Sequence, residues 1–245
     1  LPTVLTIAGS DSSGGAGISA DMRTFGAFSV WGAVAVTAVT AQNSAGVDDV
    51  LVVPSSLVGL QIESVAREMP VSAVKTGMLA SAGTVEAVAD ALEELRLGPL
   101  VVDPVMVASS GRSLLGAGAV DRLKERLLPL CLVFTPNIPE AESILGRDIR
   151  SRRDMIDAAA RLSRLGPAAV VIKGGHLGGP DSPDLLWHDG RIVWIEGARL
   201  PSSYTRGTGC AFSAAVAANL AASRSIEDAC RSAKAFVTAS IGASP

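Results

Sequence analysis

Short runs of β-branched and small apolar residues alternate along this chain with longer stretches whose apolar residues fall at helical spacing. The runs are Thr3–Ala8, Ala33–Val39, Ala73–Thr76, Leu100–Asp103, Leu132–Thr135 and Ala169–Lys173. Between them, Leu57–Arg67, Thr84–Leu95, Ala119–Leu128 and Asp154–Leu165 carry the helical period. Ser81 and Thr84 read as start signals for the second of these helices, and Gly166-Pro167 stops the fourth. Strands separated by crossover helices pair mostly in parallel, and the resulting sheet needs helices on both faces. Asp184–His188 and Arg191–Ile195, joined by Asp189-Gly190, break that rhythm and read as an antiparallel hairpin. Two further helices, Thr208–Ala222 and Ile226–Ile241, follow it. No linker, repeat or low-complexity tract divides the 245 residues, so the reading is one α/β domain over 1–245 with a late antiparallel edge.

Charged residues make up 18% of the chain and hydrophobic ones 48%, a balance that supplies a sizeable core and excludes disorder. The net charge of −3 and the scattered arginines argue against nucleic-acid or membrane-surface partners. Cys131, Cys210 and Cys230 are odd in number and far apart, which suits neither a disulfide framework nor a metal site and predicts a reducing, cytoplasmic setting. Thr24–Val47 carries no formal charge, yet Gly26, Gly32, Gln42 and Asn43 interrupt it too often for a membrane span. The chain opens at Leu1 without a basic-then-apolar leader, so no secretory signal is expected, although a start without Met is what a trimmed leader would leave.

In parallel sheets, ligands bind beyond the carboxyl ends of the strands. Here those ends carry Gly9-Ser10-Asp11, Gln42-Asn43, Lys75-Thr76-Gly77-Met78, Asp103-Pro104-Val105, Thr135-Pro136-Asn137 and Lys173-Gly174-Gly175-His176. Gly15, Gly17 and Ala20 match a dinucleotide-type glycine pattern, but a loop separates them from their strand. No acid occurs between Asp21 and Asp48, which weakens a dehydrogenase reading. No lysine follows a glycine anywhere, so no Walker-type phosphate loop exists. Gly207-Thr208-Gly209-Cys210, running into an apolar helix, offers another anion cradle, because the first N–H groups of a helix point outward unpaired. Simple helix initiation with Cys210 packed as a small hydrophobe is the equal alternative. Asn137 and Glu140 sit where a helix begins and suit either a capping pair or, with Asp103 nearby, a magnesium site. Lys173 precedes two glycines and makes a phosphate contact credible; Lys75 suits equally a buried pair with an acid. His176 sits on the rim, and His188 belongs to the hairpin.

Together these stretches resemble the hydroxymethylpyrimidine and phosphomethylpyrimidine kinases of thiamine biosynthesis, within the ribokinase-like superfamily. The matching segments are TIAGSDSSGGAGISADMRTF, AVTAQNSAGV, KTGML, VVDPVM, TPNIPEAE, KGGH and GTGCAFSAA, in order over nearly the whole chain. The resemblance implies a ribokinase-like three-layer sandwich, a homodimer, and transfer of phosphate from ATP with Mg2+. It implies that Asp21 and Gln42 hold the pyrimidine, with Gly9, Ala16, Met78 and Val105 shaping its pocket. Asp103, Asn137 and Glu140 would organise Mg2+ and phosphates, and Lys173 would contact ATP phosphate. Thr208 and Lys234 would lie beside the nucleotide, with Cys210 near the acceptor and Gly207, Thr208 and Gly209 around the transferred group. Cys210 stands where simpler sugar kinases of the superfamily carry an aspartate base. A phosphate acceptor is already ionised and needs no base, and a thiol would not repel it as a carboxylate would.

The family usually carries a histidine before this turn, where the chain has Tyr204-Thr205-Arg206, and it usually continues beyond Ala243-Ser244-Pro245 with a glycine-rich tail. Arg206 is expected to place a fixed positive charge beside the anion site and so to bias the choice of acceptor. Pyridoxal kinase, built on the same plan, is the nearest rival, and a non-catalytic pyrimidine or nucleotide sensor is the rival of another class.

Overall fold

The computed structural model describes residues 1–107, 111–201 and 206–243. Nine strands among them form one sheet: β1 (Thr3–Gly9), β2 (Trp31–Gln42), β3 (Val47–Val52), β4 (Ala73–Thr76), β5 (Leu100–Val102), β6 (Val133–Phe134), β7 (Ala169–Ile172), β8 (Asp184–His188) and β9 (Arg191–Ile195). Their order across the sheet is β3-β2-β1-β4-β5-β6-β7-β8-β9. The six from β2 to β7 run parallel, as expected. The hairpin β8–β9 has the predicted bounds and lies antiparallel along one edge. The opposite edge is antiparallel too, and that was missed: β3 pairs with β2 although Asp48 and Asp49 spoil its apolar alternation, because much of this edge faces water.

The helices are α1 (Gly17–Ala27), α2 (Ser55–Glu68), α3 (Ala82–Glu94), α4 (Ala119–Arg122), α5 (Ile138–Leu145), α6 (Arg152–Leu162), α7 (Thr208–Ala221) and α8 (Ile226–Gly242). The expected helix Ala119–Leu128 is broken up. α4 widens into a π turn over Leu123–Leu127 and ends in a 3-10 turn over Leu128–Leu130, where Pro129 has no N–H to continue the ladder. Residues of α2 to α6 pack on one face of the sheet, and those of α1, α7 and α8 on the other, giving three layers. No helix among the described residues is long and apolar enough to cross a membrane.

Side chains alternate across each strand, so parity decides what faces α7. Ala73, Val101, Val133 and Val171 join the α7-side core. Two residues further along their strands stand Lys75, Asp103, Thr135 and Lys173, on the same face and at the carboxyl rim. The period of two thus brings every one of these polar groups under the start of α7. That helix is buried continuously from Phe212 to Leu220, and its alanines let it lie close to the sheet. Successive connections also reverse direction at β1: the chain moves to β2 on one side, then builds β4 to β7 on the other. The crevice left between the β1 and β4 ends is where such folds bind ligands.

Candidate active site

A cavity of about 810 Å³ opens at this crevice. Gly9, Ala16, Gln42, Met78 and Val105 stand together in its wall. The Thr37 hydroxyl donates to the Met78 carbonyl at 2.5 Å, and the Thr40 hydroxyl lies 3.1 Å from Gln42 Oε1 and 2.8 Å from the Ser10 carbonyl. These bonds set the pocket's outline from the backbone of β2.

The cradle Gly207-Thr208-Gly209-Cys210 forms the facing wall. Gly207 caps α7 in the left-handed region, with φ 76°, and a Cβ there would come within 2.0 Å of the Gly15 carbonyl oxygen. Only glycine permits that approach. The start of α7, the positive end of its helix dipole, therefore lies in the cavity wall. Directly beneath, Lys173 Nζ lies 3.2 Å from where a Gly209 Cβ would be and donates to Asp103 Oδ1 at 2.8 Å. Ser213 of α7 donates to Asp103 Oδ2 at 3.1 Å. Burial works against the Lys173 charge, but Asp103 and Glu140 outweigh it and hold the ammonium protonated above its ordinary value. Burial pushes the Cys210 thiol up to about 11 despite the Lys75 charge and a hydrogen bond from the Gly17 backbone. At neutral pH the sulfur is an uncharged neighbour to whatever binds here.

Asn137 and Glu140 form the capping box of α5: each side chain accepts from the other's backbone N–H, at 2.9 and 2.7 Å. Both also line the cavity, so the cap and the site are one structure. The Glu140 carboxyl is pushed up to about 7 by burial and by the nearby Asp103 charge. No group of three His, Cys, Asp or Glu side chains among the described residues could hold a metal by itself. Two crowded carboxylates do fit a magnesium ion that takes its other ligands from phosphates and water, since the cation relieves the repulsion that raises Glu140.

Two expected substrate contacts are engaged by side chains of the protein itself. Asp21 does not reach the cavity: its side chain is fully buried, Lys75 Nζ donates to both of its oxygens at 3.0 and 2.8 Å, and Thr6 donates to one at 2.6 Å. Its place on α1 puts it on the same buried face as Thr24 and Phe25, turned toward β1 and β4. Lys75 is thus the buried partner of an acid. Arg206 does not line this cavity but a neighbouring cleft that it shares with Gly207 and Thr208. It pairs with Asp11 at 2.5 Å and donates to Ser13 Oγ at 2.8 Å, on the loop before α1. Tyr204 and Thr205, beside it in the departure from the family's histidine, lie outside the described residues, as do Ser244 and Pro245.

Lys234 does line the cavity, but it is held by Asp184 at 3.0 Å and the Ser182 carbonyl at 2.5 Å. Asp184 is a site residue that sequence reasoning treated only as a strand end. It also accepts from the Gly174 N–H at 2.9 Å and so fixes the loop after Lys173. Arg199 was missed as well; it donates to the carbonyls of Gly175, Leu177, Gly179 and Asp181, shaping that loop where His176 faces the cavity. A buried acid opening a hairpin was the available signal for Asp184, whereas nothing in the sequence marked Arg199.

A helix start beside a lysine–carboxylate pair, in a cavity at the carboxyl rim of a three-layer α/β sandwich, fits a small-molecule kinase of ribokinase-like architecture. The comparisons narrow this. Residues 11–245 match the family described as phosphomethylpyrimidine kinase, and the chain belongs to that family. It is 45% identical to a hydroxymethylpyrimidine/phosphomethylpyrimidine kinase of Haemophilus influenzae, over 97% of this chain and 90% of the relative. It is 47% identical to a thiamine biosynthesis bifunctional protein of Geobacter sulfurreducens, over 98% of this chain and 49% of that protein. The chain therefore spans about half the length of the bifunctional relative. Among solved structures, the ADP complex of Bacillus subtilis pyridoxal kinase superposes with a TM-score of 0.92 at 36% identity, covering 100% of this chain and 93% of the other.

Proposed function

We propose that this protein transfers the γ-phosphoryl group of ATP to the hydroxymethyl oxygen of 4-amino-5-hydroxymethyl-2-methylpyrimidine, and then to the phosphate of the product. In each step an acceptor oxygen bonds to the γ-phosphorus, the bond to the β–γ bridging oxygen breaks, and ADP leaves. The alcohol releases its proton to solvent in the first step; in the second, the ionised phosphate attacks without one to lose. The observation that carries the reading is that the start of α7, the Lys173–Asp103 pair beside Gly209, and Gln42 and Met78 all line one cavity. The first N–H groups of α7 and the Lys173 ammonium stabilise charge that develops on the transferred group. Asp103 and Glu140 would hold Mg2+, which supplies charge neutralisation on the nucleotide phosphates. The uncharged Cys210 thiol leaves room for an anionic acceptor. Thr208 and Lys234 belong to the nucleotide side in this reading. A cytoplasmic homodimer is the expected form.

The likeness to a pyridoxal kinase supports a second reading, in which pyridoxal is the acceptor. Mg2+-dependent ADP release, measured side by side with the pyrimidine alcohol, its monophosphate and pyridoxal, separates the two. Turnover of both pyrimidines above pyridoxal is expected. Turnover of pyridoxal alone would replace the first reading by the second, and ADP release with none of them would remove both in favour of a sensor.

A further inference from the structure

Arg206 and Asp11 are separated by almost the whole chain, yet they meet where the loop before α1 passes the start of α7. Asp11 is the hub of the loop 10–17, which ends in the pocket wall at Ala16 and Gly17. Its carboxylate accepts from Ser13 N and Ser13 Oγ, both at 3.0 Å, and from Ala16 N at 2.8 Å, all within its own loop. The remaining bond, from Arg206 at 2.5 Å, is the one that leaves the loop and reaches the residue before the α7 cap. The junction is tight around it. A Cβ on Gly15 would lie 3.3 Å from Arg206 Nη1, one on Gly207 would overlap the Gly15 carbonyl, and the Gly17 backbone hydrogen-bonds Cys210. The Asp11 side chain is 1% exposed and that of Arg206 18%, so the pair is only lightly screened by water.

We propose that Arg206 is a positioning residue that acts through Asp11, locking the acceptor loop to the start of α7 so that the acceptor pocket and the anion cradle are held in register. The assignment rests on the proposed phosphoryl transfer for its kinetic consequence, but not for its structural one. Removing the guanidinium leaves Asp11 its three bonds inside the loop and leaves Ser10 and Ser12 bound to β2, so the loop keeps its shape and loses the side-chain tie from Arg206 to Asp11 and Ser13. A residue needed only for folding would behave differently: its loss would lower the unfolding temperature without singling out the acceptor.

The test uses Arg206→Gln, Asp11→Asn, the double variant and Arg206→Lys, with the pyrimidine alcohol, its monophosphate and Mg-ATP as substrates. Expected are a fall of about tenfold or more in acceptor kcat/KM for either single variant, as for loss of a charged hydrogen bond. The KM for ATP should change far less, and the double variant should lose little more than either single one. Arg206→Lys should recover part of the loss. Amide hydrogen exchange, read without substrate, should quicken across residues 10–17 in Arg206→Gln while the sheet core stays protected. Simple addition of the two single effects, equal losses for ATP and acceptor, or unchanged exchange in the loop would each overturn the assignment. If the parent protein phosphorylated neither pyrimidine, the functional reading would fall, and the exchange measurement alone would still decide the tether.

Discussion

Lys75, at the end of β4, and Lys173, just past β7, both face α7 from the rim of the sheet, and each meets an aspartate. Lys75 meets Asp21 through both carboxylate oxygens, with Thr6 as a further donor, and both side chains are 0% exposed. Lys173 meets Asp103 through one oxygen, keeps 13% of its side chain exposed and looks into the cavity beside Gly209. The same two residue types thus build a sealed pair and an open one. In the first, both carboxylate oxygens are answered by the ammonium, and full burial makes exchange for a ligand costly. In the second, the ammonium has bonds to spare for a phosphate oxygen. The difference lies in the partner's element: Asp21 comes from a helix packed against the strands, Asp103 from the end of β5, two strands over and in the cavity wall.

The largest effect expected from this contrast is on stability. Asp21→Asn leaves a buried ammonium without its charge partner and should cost about 3–5 kcal/mol, lowering the unfolding temperature by about 10 °C in a circular-dichroism melt. Replacing both members, Asp21→Leu with Lys75→Met, should return most of that loss. A melt no lower than that of Asp103→Asn would erase the distinction between the pairs. At the open pair the effect moves to catalysis. Asp103→Asn should lower kcat by about a hundredfold in a coupled ADP assay while the melt shifts by only a few degrees.

Smaller effects test the neutral sulfur between the pairs. Cys210→Asp should reduce kcat/KM for the monophosphate, relative to the alcohol, by about tenfold, since a carboxylate repels the anionic acceptor; equal ratios in variant and parent would sink that role. With its thiol at about 11, Cys210 should be alkylated by iodoacetamide slowly at pH 7 and about tenfold faster per pH unit up to pH 10, following the thiolate fraction. Labelling at pH 7 as fast as free cysteine would contradict the burial argument.

Much of this was legible in the chain. The alternation of strand and helix patterns gave the parallel sheet, and Asp189-Gly190 gave the bounds of the hairpin. Counting by two along the strands would also have put Lys75, Asp103 and Lys173 on one face. Asp21, Arg206 and β3 have surroundings that their sequence neighbours do not reveal. The resemblance marked Asp21 as a ligand contact, but similarity locates a residue without saying which way it turns; its helical spacing to Thr24 and Phe25 was the overlooked sign of burial. Arg206 was read from its sequence neighbours, and its partner lies 195 positions away. The strand β3 escaped because an edge facing water does not need the apolar alternation that reveals an inner strand.

The claim that the open pair carries the transfer is tested most directly by turnover of Lys173→Ala with and without added ethylammonium. Because Lys173 borders the cavity, a small amine can enter the space it leaves. The account predicts a loss of about a hundredfold or more in kcat, partly restored by millimolar amine, with an unfolding temperature close to that of the parent. Turnover at the parent rate in Lys173→Ala would contradict it.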